Sequence, residues 1–285
     1  MHRPGNPSRR VFLTNLAAGL AIAGLPGTAW PAKIANINEA INMAGRLRML
    51  SQRIAKAYCQ IGQNILPDRS RKILGDSINL FADHIVALGE FAPTAEIRST
   101  YDDLGTIWRE YRTLASTPPI LPSARKIATV NEDVLRLAHL GTTQLELHSG
   151  SNLGRLINIS GRQRMLSQRL AKFYMLHHWG ITSPDMDREM RVARGEFVSA
   201  LEALSKAGEN SKAINGELEL AKTQWLFFEE ALKAQKGGGK DDTDAQNVAT
   251  TSERILEVMD RITGMYARLA QAPAAAPAAP TPKKR

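Results

Sequence analysis

Apolar residues recur at steps of three and four positions along most of the chain, with polar residues between them. This spacing is typical of amphipathic helices packed on a core. Helix breakers divide the first half of the chain into four such segments, at Pro67-Asp68, at Pro93-Thr94 and between Pro118 and Pro122. We expect Thr94 to cap the third helix and Ser123 to cap the fourth. The second half follows the same plan, with a Gly/Lys/Asp-rich loop at 236–242 and a last helix from Ser252 to Leu269.

One segment of this pattern occurs twice. Residues 41–58 read INMAGRLRMLSQRIAKAY and residues 157–174 read INISGRQRMLSQRLAKFY, an offset of 116 residues with 13 identities in 18. A repeat of domain-sized period indicates two copies of one structural unit. Outside this repeated segment the copies differ much more, so a specific role is expected for it.

The repeated segment predicts a helix with two faces. Met43, Leu47, Leu50 and Ile54 continue an apolar core face. About 100° around the helix lies a face of small residues with one arginine and one glutamine: Ile41, Gly45, Arg48, Gln52, Ala55 in the first copy and Ile157, Gly161, Arg164, Gln168, Ala171 in the second. Glycine inside a helix costs about 1 kcal/mol relative to alanine. Its presence in both copies suggests close approach of another backbone or of a ligand.

The predicted fold class is therefore all-α, with two tandem antiparallel four-helix bundles related by the internal repeat. The expected boundaries are 33–150 and 151–270. The joint at residues 148–152 decides the arrangement. A turn there, favoured by Gly150, would place the two repeated helices side by side and parallel, whereas a continuous helix would stack the bundles end to end.

The two ends of the chain are expected to lie outside this fold. Residues 1–29 have the order of a twin-arginine signal peptide, with Ser8-Arg9-Arg10-Val11-Phe12-Leu13, a short apolar run and a Gly27-Thr28-Ala29 cleavage site, or Ala32 as its alternative. This order predicts export through the twin-arginine pathway to the periplasm. Residues 271–285 are Ala/Pro-rich with a basic end and are predicted to be disordered.

The composition of the chain limits the classes of function that we expect. The formal net charge is +9, but an exported protein is not expected to bind nucleic acid, and attraction to a small anion or an anionic membrane fits better. The chain shows no catalytic constellation and no haem motif, so we expect a non-enzymatic protein without a cofactor. His177-His178 lacks partners at ligand spacing, so surface or core histidines are expected there rather than a metal site.

The repeated segment resembles the motif of the PilJ-type, NarX-like periplasmic sensor module, the N-terminal domain of type IV pili methyl-accepting chemotaxis transducers. In the nitrate and nitrite sensors of that family, glycine and arginine from two parallel helices hold one anion. The resemblance assigns this role to Gly45 and Arg48 and to Gly161 and Arg164. Gln52 and Gln168 lie one turn further along the same helical face and are also expected to contact the ligand. Arg46 and Arg162 replace a small polar residue of the nitrate sensors and are candidates for additional anion contacts.

Two hypotheses follow. In the first, an exported protein binds a small inorganic anion, with nitrate and nitrite as candidates, between the two arginines and reports to a membrane-bound sensor or receptor. The chain would act as a monomeric pseudo-dimer or as a homodimer. In the second, each arginine pairs with a carboxylate of a neighbouring helix, and the chain is a ligand-free scaffold or adaptor whose repeated segments dock helices. Facing arginines repel unless an anion neutralises them, which favours the first.

Overall fold

The computed structural model describes residues 33–234 and 242–269. The predicted signal peptide, the 271–285 tail and nearly all of the Gly/Lys/Asp-rich loop lie outside these residues. The described part of the chain contains helices and no strand. In chain order the helices are α1 Ile37–Gly62, α2 Pro67–Phe91, α3 Ala95–Ala115, α4 Leu121–Ser149, α5 Asn152–His178, α6 Pro184–Ser205, α7 Lys212–Ala234 and α8 Asp242–Leu269.

The helices form two rings of four. In the first ring α1 packs on α2 and α4, and α3 lies between α2 and α4; α5 to α8 repeat this plan. The aromatic contacts repeat as well, since Phe81 stacks on Trp108 at 4.1 Å between ring centroids and Phe197 stacks on Trp225 at 4.2 Å. The all-α prediction with two tandem bundles is confirmed.

The bundles lie side by side. Helix α4 ends at Ser149, Gly150 adopts a left-handed conformation with φ of 56°, and α5 begins at Asn152. Glycine occupies this region of backbone space without steric cost. The chain therefore reverses at the joint, and α1 and α5 run parallel in the centre of the molecule, where they make the most extensive helix contact of the described fold.

Two helix starts, those of α4 and α8, depart from the sequence-based expectations. Thr94 caps α3 as predicted, accepting the amide of Ile97. The predicted Ser123 cap is wrong, because α4 begins at Leu121 with Pro122 in its first turn, where proline needs no amide hydrogen bond. Helix α2 begins at Pro67, and α8 begins at Asp242, ten residues before the expected Ser252.

Candidate functional site

The repeated segments bury almost all of their side chains, because α1 and α5 each pack against three or more neighbours. The small-residue faces meet at two glycines. A Cβ atom on Gly45 would lie 3.8 Å from the Cα of Gly161, and the converse distance is also 3.8 Å. Glycine at both positions thus allows the two backbones to approach. The small-residue faces of α1 and α5 therefore contact each other in the structure, as the turn at Gly150 predicted.

Arg48 and Arg164 cross this contact and reach the opposite helix. Arg48 Nη2 donates to the carbonyl oxygen of Asn158 at 3.3 Å, and Arg164 Nη2 donates to the carbonyl oxygen of Asn42 at 3.1 Å. Asn42 and Asn158 are repeat equivalents, so the two contacts are related by a pseudo-twofold axis. Both guanidinium groups are fully buried and lie beside the two glycines. We call Gly45, Arg48, Gly161 and Arg164 the arginine layer.

The two arginines differ in their remaining partners. Arg164 Nη1 donates to Asp260 of α8 at 2.5 Å. Arg48 Nη1 instead contacts Nδ1 of His139 of α4 at 3.3 Å, and its Nη2 donates to Oδ1 of Asn158 at 2.6 Å. Within the described residues Arg48 forms no ion pair with a carboxylate. The carboxylate pairing raised by the sequence is therefore present at Arg164 and absent at Arg48 among the described residues.

Burial makes the charges of this layer costly. Desolvation, followed by repulsion from Arg162 and Arg164, lowers the pKa of Arg48 to about 9. Desolvation lowers the pKa of Arg164 to about 10, with Asp260 partly offsetting it. The Nε–H groups of both arginines are buried without a hydrogen-bond partner in the described structure. Such buried donors are costly unless something accepts from them.

The other predicted site residues lie around this layer and differ in their hydrogen-bond partners. Arg46 donates to Oδ2 of Asp260 at 2.9 Å, and Arg162 forms a two-bond pair with Glu196. A contact between either arginine and an anion would require exchange with its carboxylate. Gln52 and Gln168 are buried two turns from the glycines, and the Oε1 atom of Gln52 has no partner among the described residues.

A second buried layer was not predicted. Lys56 Nζ donates to Glu253 at 2.5 Å, to Gln168 Oε1 at 2.6 Å and to Ser252 at 3.1 Å. Its repeat equivalent Lys172 donates to Glu132 at 2.6 Å and to Asn131 at 2.8 Å. Arg53 also pairs with Glu253, and Arg169 also pairs with Glu132. We call Lys56, Lys172, Glu132 and Glu253 the lysine layer. The shared Ala-Lys pair of the two repeated segments was the available signal.

Burial also sets the pKa values of the lysine layer. Desolvation lowers the pKa of Lys56 and of Lys172 to about 8, with the facing carboxylate opposing the shift in each case. Burial alone would raise the pKa of Glu253, but Lys56 and Arg53 outweigh it and bring the pKa to about 2. The lysine layer is thus a pair of closed ion clusters.

Two further features, a candidate metal-ligand cluster and a candidate membrane-spanning helix, are absent from the described residues. No group of three His, Cys, Asp or Glu side chains in the described ranges could hold a metal ion. Nδ1 of His178 lies 2.7 Å from Oε1 of Gln63, in a contact between α5 and the end of α1. Among the same residues, no helix combines the length and the apolar character that a bilayer crossing requires.

Two repeated four-helix units, joined along parallel helices with a buried arginine pair between them, define a tandem helical-bundle protein. The family model PilJ, described as the type IV pili methyl-accepting chemotaxis transducer N-terminal domain, matches residues 32–136 and again residues 146–252. These matches cover more than half of the chain, which therefore belongs to the PilJ family as two tandem copies. No curated protein and no solved structure matches it. PilJ is a sensory and signalling family rather than an enzymatic one, typically periplasmic and part of membrane-bound chemotaxis transducers.

Proposed function

We propose that the protein is an exported periplasmic sensory protein that binds one small monovalent anion in the arginine layer, with nitrate and nitrite as the candidate ligands. The observation that carries the proposal is the pair of fully buried guanidinium groups, each with an Nε–H that has no partner among the described residues. Only one of the two, Arg164, pairs with a carboxylate there. Charge-assisted hydrogen bonds from guanidinium groups to a planar anion are strong and directional.

The local charge balance supports a charge of minus one for the ligand. Arg46, Arg48 and Arg164 bring three positive charges. Asp260 accepts from two of these arginines, and Glu146 accepts from Asn158, which itself accepts from Arg48. These two carboxylates leave one positive charge in the group as a whole. A monovalent anion would neutralise it in a region from which water is largely excluded.

The remaining predicted site residues have supporting roles in this proposal. Gly45 and Gly161 let the anion approach the helix backbones, because a side chain at either position would meet a guanidinium nitrogen at 3.1–3.2 Å. Gln52 and Gln168, two helical turns from the glycines, are proposed to change their hydrogen bonds when the anion binds. Arg46 and Arg162, held by Asp260 and Glu196, are proposed to fix the surrounding carboxylates and to contact the anion only after exchange.

Anion titration tests the proposal directly. Calorimetry and melting curves with nitrate, nitrite, chloride and sulfate should show a monovalent anion binding and raising the melting temperature, by about 2.7 kcal/mol of stability at 100 times its Kd. Arg48→Ala should abolish both effects. Arg155→Ala is the matched control, because Arg155 is an exposed residue of α5. If none of these anions shifts the wild-type protein, the proposal is wrong.

The second candidate, a ligand-free scaffold, is favoured by the Arg164–Asp260 pair and by the closed clusters of the lysine layer. In that case both arginines have only a structural role, in the contact between the two bundles. Their replacement should then change stability equally with and without anion, and no anion should shift the melting temperature.

Export and signalling are further parts of the proposal. The twin-arginine order of residues 8–13 supports translocation to the periplasm, and the family supports a membrane-bound sensor or receptor as the partner. Exchange of Arg9 and Arg10 for lysine should leave the precursor in the cytoplasm, as cell fractionation would show. Undiminished export of the double variant would point to a different route.

A further inference from the structure

The last helices of the two bundles face the arginine layer with different residues. Glu132 and Glu253 occupy equivalent places in the lysine layer, and 253 − 132 is 121. His139 and Asp260 also differ by 121 and contact Arg48 and Arg164 respectively. The histidine of one repeat thus stands where the other repeat has a carboxylate.

His139 connects the buried arginine to solvent. Its ring contacts the fully buried Arg48, yet His139 itself is exposed on the other side. It also lines a groove of about 230 Å³ between α4, α5 and α6. The charged groups that act on its ring are Arg48 from α1, Arg162 from α5 and Glu196 from α6. The other charged residues that line the groove are Arg169 from α5, Glu189 from α6, and Glu132 and Arg136 from α4.

The protonation state of His139 determines what Arg48 can donate to. A neutral imidazole with a free Nδ1 lone pair accepts from the guanidinium group, whereas an imidazolium has only donors. A proton on His139 would therefore break this contact and place a second positive charge beside Arg48. Burial, Arg48 and Arg162 together lower the pKa of His139 to about 4, with Glu196 opposing the shift, so the ring is neutral near pH 7 in the absence of an anion.

We propose that His139 is the proton-linked gate of the anion site, releasing Arg48 to the incoming anion when it accepts a proton from solvent through the α4–α5–α6 groove. This inference rests on the proposed anion-binding function. The anion supplies the negative charge that Asp260 supplies permanently on the other side. Proton and anion therefore bind together, and each strengthens the binding of the other.

The direction of the pH effect follows from linkage. The anion-bound protein holds more protons than the empty protein, so affinity for the anion increases as pH falls. The affinity continues to increase as pH falls toward about 4, the pKa of His139 in the empty protein. For one linked proton the limit is about a tenfold change in Kd per pH unit.

Calorimetric titration with nitrate between pH 4.5 and 7.5 tests the gate, because nitrate keeps one charge over this range. The wild-type Kd should decrease as pH falls. His139→Gln should remove most of this pH dependence. His139→Asp, which copies the Asp260 side, should abolish nitrate binding, because a permanent carboxylate occupies Arg48. Melting curves without nitrate show whether each variant folds.

His84→Gln is the matched control. His84 is a buried histidine of α2 whose pKa is also lowered to about 4, by burial, Arg46 and Arg164, but it does not contact Arg48. This variant should keep the pH dependence. The gate is overturned if wild-type binding does not change with pH, if His139→Gln retains the dependence, or if His139→Asp binds nitrate like the wild type. Failure of nitrate, nitrite and chloride to bind at any pH would instead refute the anion site itself, and the gate with it.

Discussion

The arginine layer and the lysine layer lie on the same two helices, about 12 Å apart along their axes, and differ in how their charges are compensated. In the lysine layer each buried lysine faces its own carboxylate, Glu253 for Lys56 and Glu132 for Lys172. In the arginine layer Asp260 forms an ion pair with Arg164, whereas Arg48 contacts His139. Each buried lysine therefore has a carboxylate partner, whereas of the two buried arginines only Arg164 has one among the described residues.

This difference teaches how a repeated buried cation should be interpreted. A buried charge is normally paired, because desolvation of an isolated charge is costly. Conservation of Lys56 and Lys172 between the two repeats is therefore explained by closed ion clusters that specify the bundle contact. Retention of Arg48, which has no carboxylate partner among the described residues, is not explained in that way, and the proposed anion site rests on this difference.

The largest expected effect on stability comes from removing a carboxylate of the lysine layer. Glu253→Gln leaves Lys56, which is fully buried, without its carboxylate and should cost about 3–5 kcal/mol of unfolding free energy in urea titrations. Glu132→Gln should cost clearly less, because the Glu132 side chain is 44% exposed and water can reach the cluster. Adding Lys56→Met to Glu253→Gln should recover most of the loss. Equal costs for the two single variants would contradict this comparison.

The same carboxylate predicts a pH dependence. The pKa of Glu253 falls from its ordinary 4.5 to about 2 on folding. Its stabilising contribution is therefore present above pH 4.5 and is lost as pH falls from 4.5 toward 2. Urea titrations at several pH values should show this loss in the wild type. The acid dependence of Glu253→Gln should be weaker over that window.

A smaller effect separates the two arginines in the absence of anion. Arg164→Met should lower stability by about 1 kcal/mol, because Asp260 keeps only Arg46 and is 39% exposed. Arg48→Met removes a buried charge that has no carboxylate partner in the described residues, and should leave stability within about 0.5 kcal/mol or raise it. Chemical unfolding of both variants in buffer with a bulky organic anion measures the difference. A larger loss for Arg48→Met would mean that its contacts with Asn158 and His139 are structural.

The smallest effect concerns the glycines that let the arginine layer close. Gly195→Ala, at an exposed α6 position with no atom within 4 Å of the new Cβ, should raise the melting temperature by about 2–4 °C. Gly161→Ala should give no such gain, since its Cβ would lie 3.1 Å from Arg164 Nη2 and 3.8 Å from the Cα of Gly45. It should also weaken anion binding. A similar gain at both positions would show that the helices can separate freely.

The fold was predictable from sequence because each helix carries its own periodicity, and the repeat fixed the number of bundles. Gly150 also identified the turn that places α1 beside α5. Helix ends were less predictable: Ser123 looked like a cap, but Pro122 fits the first turn of a helix that begins earlier. Local signals compete at such ends, and the packed structure selects among them.

The site was only half predictable, for a geometric reason. Gly45, Arg48 and their repeat equivalents share one helix face, which local spacing reveals. His139, Asp260 and Glu253 reach that face from α4 and α8, and their register against α1 and α5 depends on loop geometry and side-chain packing across the whole bundle. The two repeats differ in the length of the chain between these helices, so the equivalence of His139 and Asp260 is visible only in three dimensions.

The short connection from Ser149 to Asn152 has a consequence for the chemistry of the central contact. Because both halves belong to one polypeptide, their association does not depend on protein concentration, and dilution cannot separate them. In a symmetric homodimer any substitution appears on both sides of the axis. Covalent linkage removes that constraint, so one half can carry a fixed carboxylate while the other carries a titratable ring.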